Sequence, residues 1–77
     1  MRYFFDILSD RSETLDEEGC ELQGDTEMHK EAVRLLAEIA SDEAPYGGPP
    51  VLTARVRDTS GRAIYRAVLS IEGQRLQ

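Results

Sequence analysis

The sequence predicts a two-layer α+β domain, in which one amphipathic helix covers one face of a mainly antiparallel sheet in the order β-β-α-β-β. Three observations support this prediction: a period-two run at the N-terminus, one helical stripe in the middle of the chain, and two strand-like runs separated by a turn signal near the C-terminus. A chain of 77 residues has room for one domain, so the prediction covers residues 1–77.

The N-terminal run RYFFDIL predicts a strand, because its side chains alternate with period two between two faces. The side chains predicted to point inward are Tyr3, Phe5 and Ile7. The polar and acidic stretch 9–19 predicts a loop, in which Leu15 is the one apolar residue. The short segment from Cys20 to Leu22 could return as a second strand beside the first.

The middle of the chain predicts one amphipathic helix. Gly24 ends the preceding element, Asp25 is placed to cap the first helical turn, and Glu27 sits where the helix dipole favours an anion. The stripe predicted to be buried consists of Met28, Ala32, Leu35, Leu36 and Ile39. Because Pro45 disfavours helical geometry in the residue before it, we expect the helix to end at about Glu43.

The last third of the chain predicts a hairpin with the turn signal DTSG, entered through a crossover at residues 46–50. Two registers are open. A four-residue loop places Ala63 opposite Val56, whereas a type I turn with a left-handed bulge at Gly61 places Ile64 there and shifts every partner by one. The first register gathers the arginines on one open face, and the second divides them between faces. We favour the bulged turn, with a later irregularity that returns the strand to the core.

The predicted core combines the inward faces of the helix and the strands. Its members are Tyr3, Phe5, Ile7, Leu22, Leu35, Leu36, Ile39, Leu52, Ala54, Val56, Leu69 and Ile71. Because one helix covers only one face of a sheet, the other face is expected to be open. The apolar side chains predicted to lie on that open face are Phe4, Leu8, Ile64 and Val68. A surface that mixes such side chains with arginines is typical of a dimer or partner interface.

The net charge of -6, with a pI near 4.6, argues against a generic nucleic-acid coat and against binding to anionic membranes. The charge is segregated, because residues 1–44 hold thirteen acidic and four basic groups while residues 45–77 hold two acidic and five basic ones. The simplest explanation is that the basic hairpin lies beside the acidic loop. A single cysteine, Cys20, and the lack of an apolar leader or membrane-spanning run favour a cytoplasmic protein.

No motif for an enzyme, a metal or a cofactor is present, and the protein is predicted to be non-enzymatic with no cofactor. Cys20 and His29 are the candidates for a nucleophile and its base, but the acidic neighbours of Cys20 disfavour a thiolate. A structural cysteine and a surface histidine are the simpler interpretation. The carboxylates in residues 16–21 lack the spacing of a calcium loop and are expected to form a solvated acidic loop.

The candidate functional surface consists of the basic cluster of the hairpin and the apolar side chains expected beside it. Its residues are Arg55, Arg57, Arg62, Arg66, Phe4 and Ile64. Because the chain is acidic overall, we expect this surface to bind a protein, either a different one or a second copy in a homodimer. The alternative is an antitoxin-like or nucleic-acid-binding regulator that uses the basic hairpin face through charge and stacking. Nucleic acid is the less expected partner, and no small-molecule substrate is predicted.

Four segments together resemble a family of small uncharacterised bacterial proteins: RYFFDI, DEEGCEL, DTEMHKEAVRLLAEIASDE and VRDTSGRAIYRAVLSIE. The family, frequent in rhizobia and related alphaproteobacteria, carries a domain of unknown function, and the resemblance covers nearly the whole chain. It implies a single small α+β domain and supplies no activity, cofactor or catalytic residue.

The segment GCELQGDTEMHKEAVRLLAEIA is similar to a part of HicB-type antitoxins, in which a strand ending in Gly-Cys leads through Gly-Asp-Thr into an amphipathic helix. This likeness covers about a quarter of the chain. This sequence lacks the three strands that lead into the segment in those antitoxins, and it lacks their DNA-binding tail. The likeness implies a protein-binding role, because those antitoxins bind a toxin partner.

Overall fold

The computed structural model describes residues 1–43 and 51–77 of the chain. In chain order the elements are β1 (Arg2–Leu8), β2 (Glu13–Thr14), β3 (Cys20–Glu21), α1 (Asp25–Glu43), β4 (Val51–Arg57) and β5 (Ala63–Ser70). The predicted α+β class, with one helix and a mainly antiparallel sheet, is confirmed. The short strand β2 is an addition, since it lies inside the stretch predicted to be a loop. The predicted crossover at residues 46–50 lies outside the described residues.

The described sheet is antiparallel, and β1 lies in its interior. The strand order is β2-β1-β4-β5, with β3 pairing to the N-terminal end of β1. The short strands β2 and β3 therefore flank the two ends of β1, while β4 pairs with it over residues 4–8. β5 forms the opposite edge of the sheet, beyond β4.

The core lies between α1 and the inner face of β1, β4 and β5. Its buried side chains are Tyr3, Phe5, Met28, Ala32, Leu36, Ala40, Leu52, Ala54 and Val56. Other residues predicted for the core are partly buried and pack against it, namely Ile7, Leu22, Leu35, Ile39 and Leu69. The prediction was wrong for Ile71, which is 41% exposed because β5 ends one residue earlier, at Ser70.

Two acidic side chains act at the start of α1, in roles that differ from the predicted cap. Asp25 is the first helical residue, and its Oδ1 accepts a hydrogen bond from the Tyr3 hydroxyl at 3.4 Å. The Glu27 carboxylate reaches back and accepts the Gln23 N–H at 2.8 Å. The predicted capping role of Asp25 is therefore wrong, because its carboxylate is directed toward the sheet. Within residues 1–43 and 51–77, no helix is long and apolar enough to cross a membrane.

The turn between β4 and β5 is the bulged turn that the sequence favours. Gly61 has a φ of 84°, which lies in the left-handed region, and its N–H donates to the Asp58 carbonyl at 3.0 Å. The Asp58 carboxylate accepts the backbone N–H groups of Ser60 and Arg62 at 2.9 and 3.0 Å. This one side chain therefore satisfies two amides of the turn and holds it in place.

An irregularity follows the turn, as predicted. Arg57 pairs with Ala63 next to the turn, but the register then shifts, so that Tyr65 rather than Ile64 lies opposite Val56. The shift returns the following inward side chains of β5 to the core.

The bulged turn and the register shift together keep the arginines of β4 and β5 on one face of the sheet. Arg66 lies directly opposite Arg55, and Arg57 follows two residues after Arg55 on the same strand. The expectation that a bulged turn divides these arginines between faces is therefore wrong, because the second shift compensates the first.

Candidate functional site

The open face of the sheet carries a cluster of two arginines around Asp6, whose side chain is 0% exposed. Arg57 binds both carboxylate oxygens: its Nε donates to Asp6 Oδ2 at 2.7 Å and its Nη2 donates to Oδ1 at 2.9 Å. Arg55 donates from Nε and Nη2 to Oδ2 at 3.1 and 3.0 Å. The β1–β4 register brings these groups together, because it pairs Asp6 with Arg55. We call this group the Asp6 cluster.

The loop between β2 and β3 folds over the open face and completes the Asp6 cluster. The Asp16 N–H donates to Asp6 Oδ1 at 3.0 Å, and the Asp16 carbonyl accepts a bond from Arg57 at 2.8 Å. The Glu13 carboxylate accepts a bond from Arg55 at 3.1 Å. The basic hairpin thus lies beside the acidic loop, which confirms the simplest explanation of the charge segregation.

The Asp16 carboxylate acts as an acceptor for backbone amides. Its Oδ2 accepts the Phe5 N–H at 3.0 Å, and its Oδ1 accepts the N–H groups of Glu18 and Gly19, each at 3.1 Å. The Phe5 amide lies on the edge of β1 between the segments that β2 and β3 cover, so Asp16 supplies an acceptor that neither short strand provides. The prediction of a solvated acidic loop is therefore wrong for Asp16, although Glu17 and Glu18 are exposed.

Gly19 allows this loop to approach β1 closely. Its φ is 77°, and a Cβ at this position would lie 3.0 Å from Arg2 Cγ and from Phe4 Cε1, and 3.1 Å from the Tyr3 carbonyl oxygen. A larger residue would therefore meet both backbone strain and atoms of β1. From the other side, Arg2 Nη1 donates to the Glu18 carbonyl at 2.6 Å.

The cluster holds its carboxylates ionised. Burial by itself raises the pKa of Asp6, but the hydrogen bonds from Arg57, from the Asp16 amide and from Arg55 outweigh burial and lower the pKa to about 2. Burial also raises the pKa of Asp16, and the three backbone amides that it binds lower the pKa by more. The pKa of each arginine is raised, chiefly by its hydrogen bonds to Asp6. All four groups are therefore charged at neutral pH.

A shallow hollow of about 470 Å³ lies beside the cluster. It is lined by Phe4, Leu15, Asp16, Glu17, Arg55 and Arg57. The Arg57 guanidinium carbon lies 5.2 Å from the centroid of the Phe4 ring, a cation–π contact. The guanidinium groups that line the hollow already donate from Nε and Nη2 to Asp6, so a ligand would have to bind through their Nη1 groups.

The six residues of the predicted candidate surface fall into two groups. Arg55 and Arg57 belong to the Asp6 cluster, Phe4 contacts Arg57 beside it, and all three are half-buried. Arg62, Ile64 and Arg66 are exposed on the turn and along β5. The structure therefore does not assemble one continuous basic patch from all six. Sequence reasoning missed Asp6 and Asp16, which organise the first group.

β5 is an edge strand of the described sheet, with β4 on one side. It has eight residues, which is longer than the typical strand of about five to six. Its open-face side chains are Ile64, Arg66, Val68 and Ser70. Val68 is 58% exposed, and of the residues that usually prevent edge pairing, which are charged residues and proline, the strand contains only Arg66. Sequence reasoning placed Val68 on the open face but left it out of the candidate surface.

A groove of about 440 Å³ runs between α1 and β5. It is lined by His29, Lys30, Val33, Arg34 and Tyr65. The His29 and Tyr65 rings, both part of this lining, stack with their centroids 4.1 Å apart. Val33, an apolar residue outside the predicted helical stripe, is 56% exposed beside it. An apolar residue outside the buried stripe of the helix was the sequence signal that could have indicated this groove.

The structure does not bring Cys20 and His29 together. Cys20 lies in β3, which pairs with β1, whereas His29 stacks against Tyr65 of β5 at the opposite edge of the sheet. Three strand positions separate these two edges. In the part of the chain that the structure describes, no group of three or more His, Cys, Asp or Glu side chains is arranged to hold a metal ion.

Comparison with known proteins identifies a family. The model described as "Domain of unknown function (DUF6894)" matches residues 2–70, a range that contains all the described strands and the helix. No curated protein and no solved structure matches the chain at a significant level. Because the match covers far more than half of its length, the chain belongs to the DUF6894 family, whose domain has no known function.

Proposed function

We propose that the protein is a non-enzymatic protein–protein interaction module whose binding element is the edge strand β5. One observation carries the proposal: β5 is a long edge strand with β-branched side chains exposed along it. A strand edge offers a row of backbone N–H and C=O groups that an incoming strand can pair with. The groove between β5 and α1 lies on the other face of the same edge and offers apolar contacts to alternate side chains of such a strand.

The Asp6 cluster argues against the alternative function, a nucleic-acid-binding or antitoxin-like regulator. Two of the arginines that such a regulator would use, Arg55 and Arg57, bind Asp6. Their charge is offset by Asp6 and by Glu13, which also binds Arg55. Phosphate binding needs cations that can exchange their counterions for the nucleic acid, and the net charge of -6 opposes the approach of a polyanion.

A photo-reactive amino acid at the edge tests the proposal. Benzoylphenylalanine in place of Val68 should form a covalent adduct with a protein when native lysate is illuminated, because the partner strand would lie in contact with that side chain. The same probe at Thr59, which is exposed in the turn, is the matched control and should give little adduct. Adducts are separated by size and identified by mass spectrometry after nuclease treatment. Absence of an adduct from position 68, or an adduct that nuclease removes, would contradict the proposal.

A further inference from the structure

Resting on the proposed function, we infer that the strand which covers β5 is β5 of a second copy of this chain. The two strands pair antiparallel about a twofold axis at Ala67. This pairing joins two sheets into one and brings the two α1 helices side by side on the same face. Three features of the structure lead to this arrangement: the direction of the backbone groups of β5, the positions of its charges, and the placement of α1.

The hydrogen-bonding groups of an antiparallel strand alternate between its two sides. The Phe5 N–H binds Asp16 and therefore points away from β4. Phe5 and Val56 are thus a pair in which each residue directs its backbone N–H and C=O groups away from the other. Val56 therefore directs its groups toward β5, where its partner is Tyr65. By alternation, the residues of β5 whose groups point to the uncovered edge are Arg66, Val68 and Ser70. Three residues that alternate in this way form a continuous ladder for a second strand.

Charge selects the register of the pairing. A twofold axis at Arg66 would place two arginines directly opposite each other, which is destabilising. An axis at Ala67 instead places Arg66 opposite Val68 of the second copy, and the overlap then spans residues 64–70. An axis at Val68 also avoids the arginine pair but shortens the overlap to residues 66–70. The axis at Ala67 therefore gives the longest overlap that has no like charges directly opposed.

The placement of α1 fits the same axis. α1 packs over both β4 and β5, so its axis lies between the two strands, about half a strand spacing from β5. Neighbouring strands are about 4.8 Å apart, so pairing through β5 puts the two helices about 9.6 Å apart. Helices in direct contact are about 8–10 Å apart. The two helices would therefore pack against each other while the strands pair.

The side of α1 that faces the edge is free of carboxylates, although the helix contains six of them. This is the side of α1 that lines the groove, through Lys30 and Val33. At helical spacing, the exposed residues on the same side are Thr26, Lys30, Val33, Ala37 and Ser41. Most of these side chains are small and uncharged. In a chain with a net charge of -6, this is a surface on which two copies can approach without opposing carboxylates.

An engineered disulfide tests the register. In a Cys20→Ser background, which removes the only native thiol, Ala67→Cys places the two new thiols directly opposite each other at the axis. Such pairs, which are not bonded to each other through the backbone, have Cα atoms about 4.5 Å apart, within disulfide reach. Ser70→Cys is the matched control: it is more exposed, but its two thiols would be separated by about 20 Å.

Under mild oxidation the Ala67→Cys variant should migrate as a dimer that a reducing agent dissociates, and the Ser70→Cys variant should stay monomeric. Cross-linking of Ser70→Cys alone, or of both variants to the same extent, would overturn the register. If neither variant cross-links and the protein remains monomeric at high micromolar concentration, self-pairing is wrong. A Val68 photo-adduct with a different protein would in that case leave the proposed function standing.

Charge substitutions at Val68 provide a second test, read by sedimentation equilibrium. Val68→Lys places a lysine opposite Arg66 of the second copy, twice per dimer, and should weaken self-association by about tenfold. Val68→Glu places a carboxylate there and should keep the dissociation constant within about threefold of the unmodified protein, because an ion pair replaces the apolar contact. Val51→Lys changes a similarly exposed valine on β4, away from the edge, and should leave self-association unchanged. Equal weakening by Lys and Glu at position 68 would overturn the proposed pairing.

Discussion

The Asp6 cluster and the β5 edge both carry arginines on the open face of one sheet, but the two regions treat them in opposite ways. In the cluster, Arg55 and Arg57 are half-buried and share a carboxylate that is excluded from solvent. On the edge, Arg66 is exposed and lies across from Arg55, another cation. The difference shows that position on a strand face does not decide the role of an arginine. The decisive factor is whether an acidic segment folds over it.

The same contrast extends to the backbone. On the β1 edge, the amide left between the two short strands is satisfied by the Asp16 carboxylate. On the β5 edge, no loop of the described residues bonds to the outward backbone groups of the strand. Among the described residues, one edge of the sheet is therefore closed by the chain itself, and the other is left without a neighbouring strand. If the contrast holds, substitutions in the cluster should change stability strongly and a substitution on the β5 edge should change it little.

Replacing Asp6 with alanine should remove the centre of the cluster. Arg55 and Arg57 would then face each other across an empty site, and loss of one partner from a buried ion pair typically costs about 3–5 kcal/mol. We expect the free energy of unfolding, measured by urea denaturation, to fall by about that amount. Glu13→Ala is the matched control: it removes an exposed carboxylate bound to Arg55 and should cost less than about 1 kcal/mol. Similar losses for the two variants would mean that burial of Asp6 does not set the strength of the cluster.

The pH dependence of stability should show the same carboxylate. The pKa of Asp6 is about 2 in the folded protein, compared with an ordinary value of 3.8, so the unfolded chain takes up the proton first as the pH falls. The stabilisation is therefore complete above pH 4 and is lost between about pH 4 and pH 2. A shift of this size corresponds to about 2 kcal/mol. The stability difference between the unmodified protein and Asp6→Asn, measured by urea denaturation across this range, should shrink by about that amount. A difference that stays constant from pH 5 to pH 2 would contradict the assignment.

The sequence predicts much of the fold because the relevant signals are local. Period-two alternation identifies β1, helical spacing identifies α1, and the turn chemistry of Asp58 and Gly61 identifies the hairpin. The correct register also follows from two competing local signals, since the turn required a bulge and the apolar pattern required a second shift. Each of these features depends on residues close to each other in the chain.

The Asp6 cluster could not be predicted in this way. Alternation assigns Asp6 to the open face, where a carboxylate is normally expected in solvent, and only a loop that returns from ten residues away buries it. Arg55 and Arg57, two residues apart on another strand, could pair with any of several acidic side chains, so their spacing does not identify Asp6 as the partner. The edge position of β5 likewise depends on strand order, which is set by long-range pairing and has no local signature.

The smallest effect should come from the edge arginine. Arg66→Ala removes an exposed side chain that lies opposite Arg55, so the change should alter the free energy of unfolding by no more than about 0.5 kcal/mol. Arg57→Ala is the comparison within the cluster and should cost about 2–3 kcal/mol, because it removes two hydrogen bonds to the buried Asp6 carboxylate and the bond to the Asp16 carbonyl. Both are measured by urea denaturation at low micromolar concentration, so that self-association does not contribute. If Arg66→Ala destabilised the fold as much as Arg57→Ala, the two regions would not differ as the structure indicates.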